Sequence, residues 1–353
     1  MSFIQLPTNG APLNAPLPLR KIAIEEHFMY ADAVASGGKF DAGNFAKVSG
    51  LDAEFVSALM QRMEDLHEKR IEEMDASGID ISILSLTAAG IEGIVDEQRA
   101  ITAAAKVNDF LAEQVSLSRG RFLGFASVPL QSPDHAVKEL ERAITQLGFK
   151  GVMINGYVQD ADERVGHYLD DERFGQFWEA VSELDVPVYL HPRPSLQPVR
   201  DALYARHGEL AGATWGFAPE TATHALRLVY SGLFDRLPNL TVILGHLGET
   251  LPYFSWRIQH CFEFNPNGHQ VKRRFQDYLC DNFFITTSGN NFDQGLICAL
   301  LTMGSDKIMF ATDYPFEMSP DAAQWIERAP ISEIDRRKIA HGNAERLFRI
   351  PSI

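Results

Sequence analysis

The chain has 353 residues, of which 45% are hydrophobic and 22% charged, with 26 Gly and 18 Pro; this excludes collagen-like, low-complexity and disordered classes. Its 32 basic and 47 acidic residues give a net charge of −15, and the densest basic cluster is Lys272-Arg273-Arg274, so no nucleic-acid surface is expected. Three cysteines, Cys261, Cys280 and Cys298, lack the spacing of a disulfide framework or thiolate zinc site, and no apolar run approaches the roughly 18 residues of a membrane span, so a globular cytoplasmic protein is expected.

Residues 1–20 hold four prolines and no apolar run, and read as an extended arm ahead of a single domain over 21–353. From Lys21 onward, short β-branched runs alternate with amphipathic stretches, the sequence form of βα units and a parallel sheet. Eight such runs are Lys21–Phe28, Ile81–Leu86, Phe122–Val128, Gly151–Tyr157, Val186–Pro192, Thr241–Gly248, Phe283–Gly289 and Ile308–Pro315. Helices are expected around Ala53–Ala76, from Ser132-Pro133-Asp134 to Gly148, from about Asp171 to Leu184 and over Glu220–Gly232. The signals are a proline at a helix start, a glycine or proline past its end, and apolar residues at helical spacing.

Eight βα units predict a closed, distorted (β/α)8 barrel rather than an open doubly wound sheet. The long connections 29–80, 193–240 and 249–282 are then insertions on the C-terminal face, where barrels bind substrate. No GxGxxG follows the first run, so no dinucleotide or other organic cofactor is expected.

Polar residues at strand ends point into a barrel's site. The first run ends Glu25-Glu26-His27, and period-two alternation puts Glu25 and His27 on one side and Glu26 on the other. The fifth run ends on His191, the sixth reaches His246 and Glu249, and the eighth ends on Asp313. Singly, each is as readily a satisfied core or cap residue. Together Glu25, His27, His191 and Asp313 make a nitrogen and oxygen ligand set for one divalent ion, Zn2+ or Mn2+, with His246 one strand further round.

The segments EEHF at 25–28, HPRP at 191–194, HALRLVYSGLFDRLPNLTVILGHLGETLPY at 224–253, WRI at 256–258, TTSG at 286–289 and TDYPFE at 312–317 resemble the amidohydrolase superfamily. Within it, the likeness is to the branch of metal-dependent, non-oxidative aromatic acid decarboxylases, and it covers roughly residues 21–350. The resemblance implies that Glu25, His27, His191 and Asp313 bind the metal and that His246 and Glu249 form a catalytic pair. It also implies that Arg257 reaches the substrate region of a neighbouring subunit, in a homodimer or homotetramer. The hydrolytic members commonly start with His-x-His and carry a lysine on the fourth strand. Here the first motif is Glu-x-His and the fourth run reads GVMINGY, which favours one metal over a bridged pair.

The expected reaction is loss of CO2 from an ortho-hydroxylated aromatic acid of dihydroxybenzoate or salicylate type, reversible at high bicarbonate. An aryl carbanion is too high in energy to form, so the ring carbon must be protonated before the bond to CO2 breaks. Asp313 is the candidate donor, with His246 and Glu249 positioning the carboxylate or exchanging the proton. Phe28 and Phe316 are candidates to stack on the ring, and Asn155 to hydrogen-bond the substrate. A hydrolase of a lactone, ester or amide, using metal-bound hydroxide, is the alternative. His224 reads as structural, and His167, His260, His269 and His341 carry no site role.

Overall fold

The computed structural model describes residues 19–30, 52–264 and 271–351. The arm up to residue 18, the 31–51 part of the first long connection and His269 lie outside the described residues. Eight barrel strands follow in chain order, apart from a short antiparallel pair, Val158–Gln159 with Gly166–His167: β1 (Ile22–Phe28), β2 (Ile81–Leu86), β3 (Phe122–Gly124), β4 (Val152–Asn155), β5 (Val188–His191), β6 (Val242–Leu244), β7 (Phe283–Thr286) and β8 (Ile308–Met309). β1 to β3 pair in order, as do β4 to β8. The two arcs meet at single parallel bridges, Ala126 with Val152 and Glu26 with Tyr314, and the ring closes as a barrel. Each of the eight runs supplies one strand, but the ladders of β6 and β8 stop early. His246 and Asp313 therefore sit in loops beyond the strand ends.

Register stacks the interior in layers. Met153 pairs with Tyr189, Tyr189 with Ile243, and Ile243 with Phe284, and these join Ile24 and Ile83 in one buried apolar cluster. Two residues further along, Asn155 pairs with His191, so an apolar layer lies under a polar one. β1 reaches that layer through an irregularity: Ala23 opposes Ser82 and Glu26 opposes Leu84, three steps on one strand against two on the other. This is a bulge, and it lets Ile24 and Glu25 both face inward although they are adjacent. Simple alternation from Ile22 and Ile24 would have turned Glu26, not Glu25, into the barrel.

The helices pack outside, burying their apolar faces on the strands. Pro133–Thr145 starts on proline, Gly175–Leu184 ends on a left-handed Asp185, and Phe217–Tyr230 buries Ala225, Leu228 and Val229. The helix expected over 53–76 is two helices, Ala53–Glu64 and Lys69–Ser77. Asp65 divides them, because its carboxylate accepts from the Glu68 and Lys69 amides at 3.0 and 3.1 Å and starts a new helix. No helix among the described residues is long and apolar enough to cross a membrane.

Candidate metal centre and its cleft

Glu25, His27, His191 and Asp313 converge at the barrel mouth, with one ligand atom from each lying within 4.8 Å of the others. Glu25 Oε1 lies 3.3 Å from His191 Nε2, and Asp313 Oδ1 lies 3.3 Å from His27 Nε2. The two imidazoles meet edge-on with ring centroids 4.5 Å apart.

The carboxylate of Glu25 is divided in its duties. Oε2 accepts from the hydroxyls of Tyr189, Ser288 and Thr286, while Oε1 is buried with no hydrogen-bond partner among the described residues. His27 Nε2 is buried and unpartnered in the same way, and Nδ1 of that ring is 3.4 Å from Ser85 Oγ. Buried polar atoms are normally paired. A carboxylate oxygen and an imidazole nitrogen left free and aimed at one point are what a divalent cation requires. The set fits one such ion. Gly245 makes room for the arrangement, since a Cβ there would lie 2.8 Å from Glu25 Oε2.

The electrostatics agree with ligand chemistry. Burial pushes the Glu25 carboxyl up, but His246, His191 and His27 outweigh it and hold it well below the usual carboxylate range. Burial and then the nearby His191 pull His27 down, against Asp313 and Glu25, which favours the neutral ring that offers a lone pair.

His246 lies at the edge of the cluster, 3.5 Å from Asp313 Oδ2 and 3.9 Å from Glu25 Oε1 through Nε2. Its Nδ1 is 2.7 Å from Glu249 Oε1. Burial disfavours the charged ring, yet Glu249, Glu25 and Asp313 together raise its pKa well above the ordinary value. The pairing comes from an unusual backbone: His246, Leu247, Gly248, Glu249 and Thr250 all have positive φ, from 50° to 81°. Left-handed conformation costs roughly 1–2 kcal/mol for each non-glycine residue. Asp313 also has a positive φ of 75°, so five of the eight non-glycine residues with positive φ among the described residues lie at the centre and its edge.

A cleft of about 670 Å³ opens above these groups, with His246, Glu249 and Asp313 in its floor and Phe217, Leu247 and Phe292 among its walls. Asn155 shares a layer with His191, and its Oδ1 has no partner among the described residues. Phe316 meets His27 edge-on, with centroids 5.7 Å apart. Phe28 does not belong here. Past the bulge His27 faces inward, so Phe28 faces outward, fully buried beside Phe110 at 6.0 Å. Arg257 is exposed on the helix Leu251–Phe264 and does not border this chain's cleft. His224 accepts from the Leu169 amide at 2.9 Å and is structural as expected. Tyr189, Thr286 and Ser288 had no assigned role, although Tyr189 stands two residues before His191 and alternation places both on one face.

The sequence matches the Amidohydrolase family over residues 26–350. It is 45% identical over 332 residues to the gamma-resorcylate decarboxylase of a Rhizobium species, covering 94% of this chain and 98% of that one. A solved dihydroxybenzoic acid decarboxylase from Polaromonas sp. JS666, with bound manganese and the inhibitor 2-nitroresorcinol, superposes with a TM-score of 0.87 at 44% identity, covering 94% of this chain and 98% of that one. The 5-carboxyvanillate decarboxylase of Sphingomonas paucimobilis superposes with a TM-score of 0.85 at 33% identity, covering 94% of this chain and all of that one.

Proposed function

The chain belongs to the amidohydrolase family, and from that premise we infer that it is a metal-dependent carboxy-lyase that removes CO2 from hydroxylated aromatic acids without oxidation. The single observation that carries this reading is a Glu/His/His/Asp set, three of the four buried, with two unpartnered ligand atoms, in a chain so similar to decarboxylases, one of them manganese-bound. Glu25, His27, His191 and Asp313 hold one divalent ion. Manganese is favoured over zinc by that relative, and no organic cofactor is needed.

When bound, the ion supplies positive charge for the substrate carboxylate and its ortho oxygen. The protein's own groups do the rest. Asp313 borders the cleft, and from its carboxyl a proton passes to the ring carbon bearing the carboxylate. The bond to the carboxylate then breaks, its electron pair returns to the ring, CO2 leaves and aromaticity is restored. His246, held cationic by Glu249, is placed to return a proton to Asp313. Phe316 packs beside His27 at the metal centre, and Asn155, in the layer of His191, keeps its Oδ1 free for a ring substituent, although neither borders the cleft itself.

The substrate is a small ortho-hydroxylated benzoate, with 2,6-dihydroxybenzoate the first to test because of the resorcylate relatives. The domain is the whole of 21–353, working as a homo-oligomer. Tyr253, Trp256 and Phe264 are 76%, 67% and 77% exposed on the helix that carries Arg257, an apolar face suited to a second copy. The direct test is CO2 release from a panel of ortho-hydroxybenzoates by manganese-loaded protein, with a chelated control. Metal-dependent appearance of the matching phenol is expected; turnover of lactones or esters with no CO2 would turn the assignment to hydrolysis.

A further inference from the structure

Outside the barrel, on the helix Lys69–Ser77, Arg70 is only 2% exposed. Its Nη2 donates to the carbonyl oxygen of His27, and its guanidinium lies over the Tyr314 ring, 4.3 Å from the centroid. The other donors, Nε and Nη1, have no hydrogen-bond partner among the described residues. A buried cation is thus committed to two contacts, one on the backbone carbonyl of His27, itself a candidate metal ligand on β1, and one on the residue after Asp313. Arg62 reinforces the second. Its guanidinium lies 4.6 Å from the same ring centroid, and it donates to the Pro315 carbonyl at 3.2 Å while bonding both oxygens of Glu73.

These contacts fall at one of the two seams of the barrel that a single bridge closes. β8 has two residues in its ladder, and it joins β1 through the single bridge between Glu26 and Tyr314. The hydrogen bonds across that seam are His27 N to Tyr314 O at 2.8 Å, Asp313 N to Glu25 O at 3.0 Å and Thr312 N to Glu26 Oε1 at 2.9 Å. Three of the four candidate ligands, Glu25, His27 and Asp313, depend on it. Asp313 adopts a φ of 75° there, a conformation non-glycine residues rarely take without support.

We propose that Arg70 is a positioning residue for the metal centre: by gripping the His27 carbonyl and the Tyr314 ring together, it fixes the spacing between His27 and Asp313. Its planar fork suits both contacts at once, a hydrogen bond in plane and a ring across its face, which an ammonium does not reproduce. The sequence gives no hint of this, because Arg70 lies in an amphipathic helix beyond the first connection and belongs to no strand end.

This inference rests on the metal reading above, and the test separates the two. Metal-stripped full-length protein is titrated with Mn2+ by calorimetry, for the unsubstituted chain, Arg70→Met, Arg70→Lys, Tyr314→Leu and the Arg70→Met/Tyr314→Leu double variant. Groups that orient metal ligands typically change affinity by about 10- to 100-fold. Arg70→Met is expected to weaken binding by that amount, Arg70→Lys by less, and the double variant by little more than the worse single one, since both changes break one contact. The Mn2+ electron paramagnetic resonance signal of saturated Arg70→Met should also change shape, which a loss of global stability does not produce. If Arg70→Met does not fold, Arg70→Lys and Tyr314→Leu carry the same comparison. Unchanged affinity and spectrum in folded variants, with only a lowered Tm, would overturn the role. Absence of any binding by the unsubstituted chain would overturn the metal reading, and this inference with it.

Discussion

His246 Nδ1 lies 2.7 Å from Glu249 Oε1 because the chain from His246 to Thr250 turns left-handed and folds the carboxylate back under the ring. The pair fixes the proton on Nδ1 and leaves Nε2 facing Asp313. Glu249→Gln keeps the shape but removes the charge that favours the imidazolium. We expect kcat to fall by roughly 10- to 100-fold with KM nearly unchanged, the size usual for a misassisted proton transfer. Steady-state kinetics over a pH series would check this, with the limb assigned to His246 moving to lower pH.

Asp313 is assigned two duties, ligand and proton donor, and His191 one. Asp313→Asn should abolish turnover, by at least about a thousandfold, while leaving the far-ultraviolet circular dichroism unchanged. His191→Ala should lower bound metal by elemental analysis, because the candidate set loses one of its two imidazole nitrogens. Full metal content in His191→Ala would remove that residue from the ligand set.

The barrel was legible because its signal is repeated: eight β-branched runs, each closed by turn residues, admit few other folds. The cluster of candidate ligands was legible because His191 and Asp313 are polar residues in otherwise apolar runs. What the sequence hides is local geometry. The bulge between Ala23 and Glu26 leaves no mark in the residue types, yet it decides that Ile24 and Glu25 share a face and that Phe28 packs against Phe110 instead of substrate. The spacing of His246 and Glu249 would suit an ordinary helical turn equally well, and only the backbone shows the opposite hand. Tyr189 and Ser288 are not legible in the sequence, because a hydroxyl under a carboxylate reads as core until the free oxygen beside it is placed.

A buried carboxyl away from the centre makes a pH prediction. Glu92 is 1% exposed, with Asn155 Nδ2 at 3.5 Å from its Oε2. Burial, opposed by its own backbone, Arg193 and Asn155, raises its pKa from 4.5 to about 7. The folded protein therefore holds this proton more tightly than the unfolded chain. The associated stability is complete below about pH 4.5 and is lost as pH rises through about 7, amounting to at most about 3 kcal/mol. Urea unfolding at pH 5 and pH 8 should show a smaller loss of stability for Glu92→Gln than for the unsubstituted protein. Parallel losses in the two proteins would contradict the assignment.

Charge in the cleft bears on substrate choice. Among the described residues its lining includes Glu249, Asp313 and Glu317 and no lysine or arginine. The cation that borders the cleft, His246, is already paired with Glu249 and Asp313, so a second carboxylate on the ring would find no free counter-charge there, and like charges roughly 6 Å apart repel by about 3 kcal/mol at an effective dielectric near 20. We expect kcat/KM for 2,6-dihydroxybenzoate to exceed that for 5-carboxyvanillate by at least about tenfold, and Glu317→Gln to narrow the ratio. Equal rates on both acids would show that charge in the cleft does not select.

The most direct test of the central claim is a mass balance. Manganese-loaded protein is incubated with 2,6-dihydroxybenzoate in D2O without oxygen, and both products are quantified by mass spectrometry. The account predicts equimolar CO2 and resorcinol, with one deuterium delivered to the ring carbon that held the carboxylate, and neither product from Asp313→Asn or chelated protein. An intact carboxylate after prolonged incubation of metal-saturated protein with the whole ortho-hydroxybenzoate panel would contradict it, as would CO2 release that persists in the chelated sample.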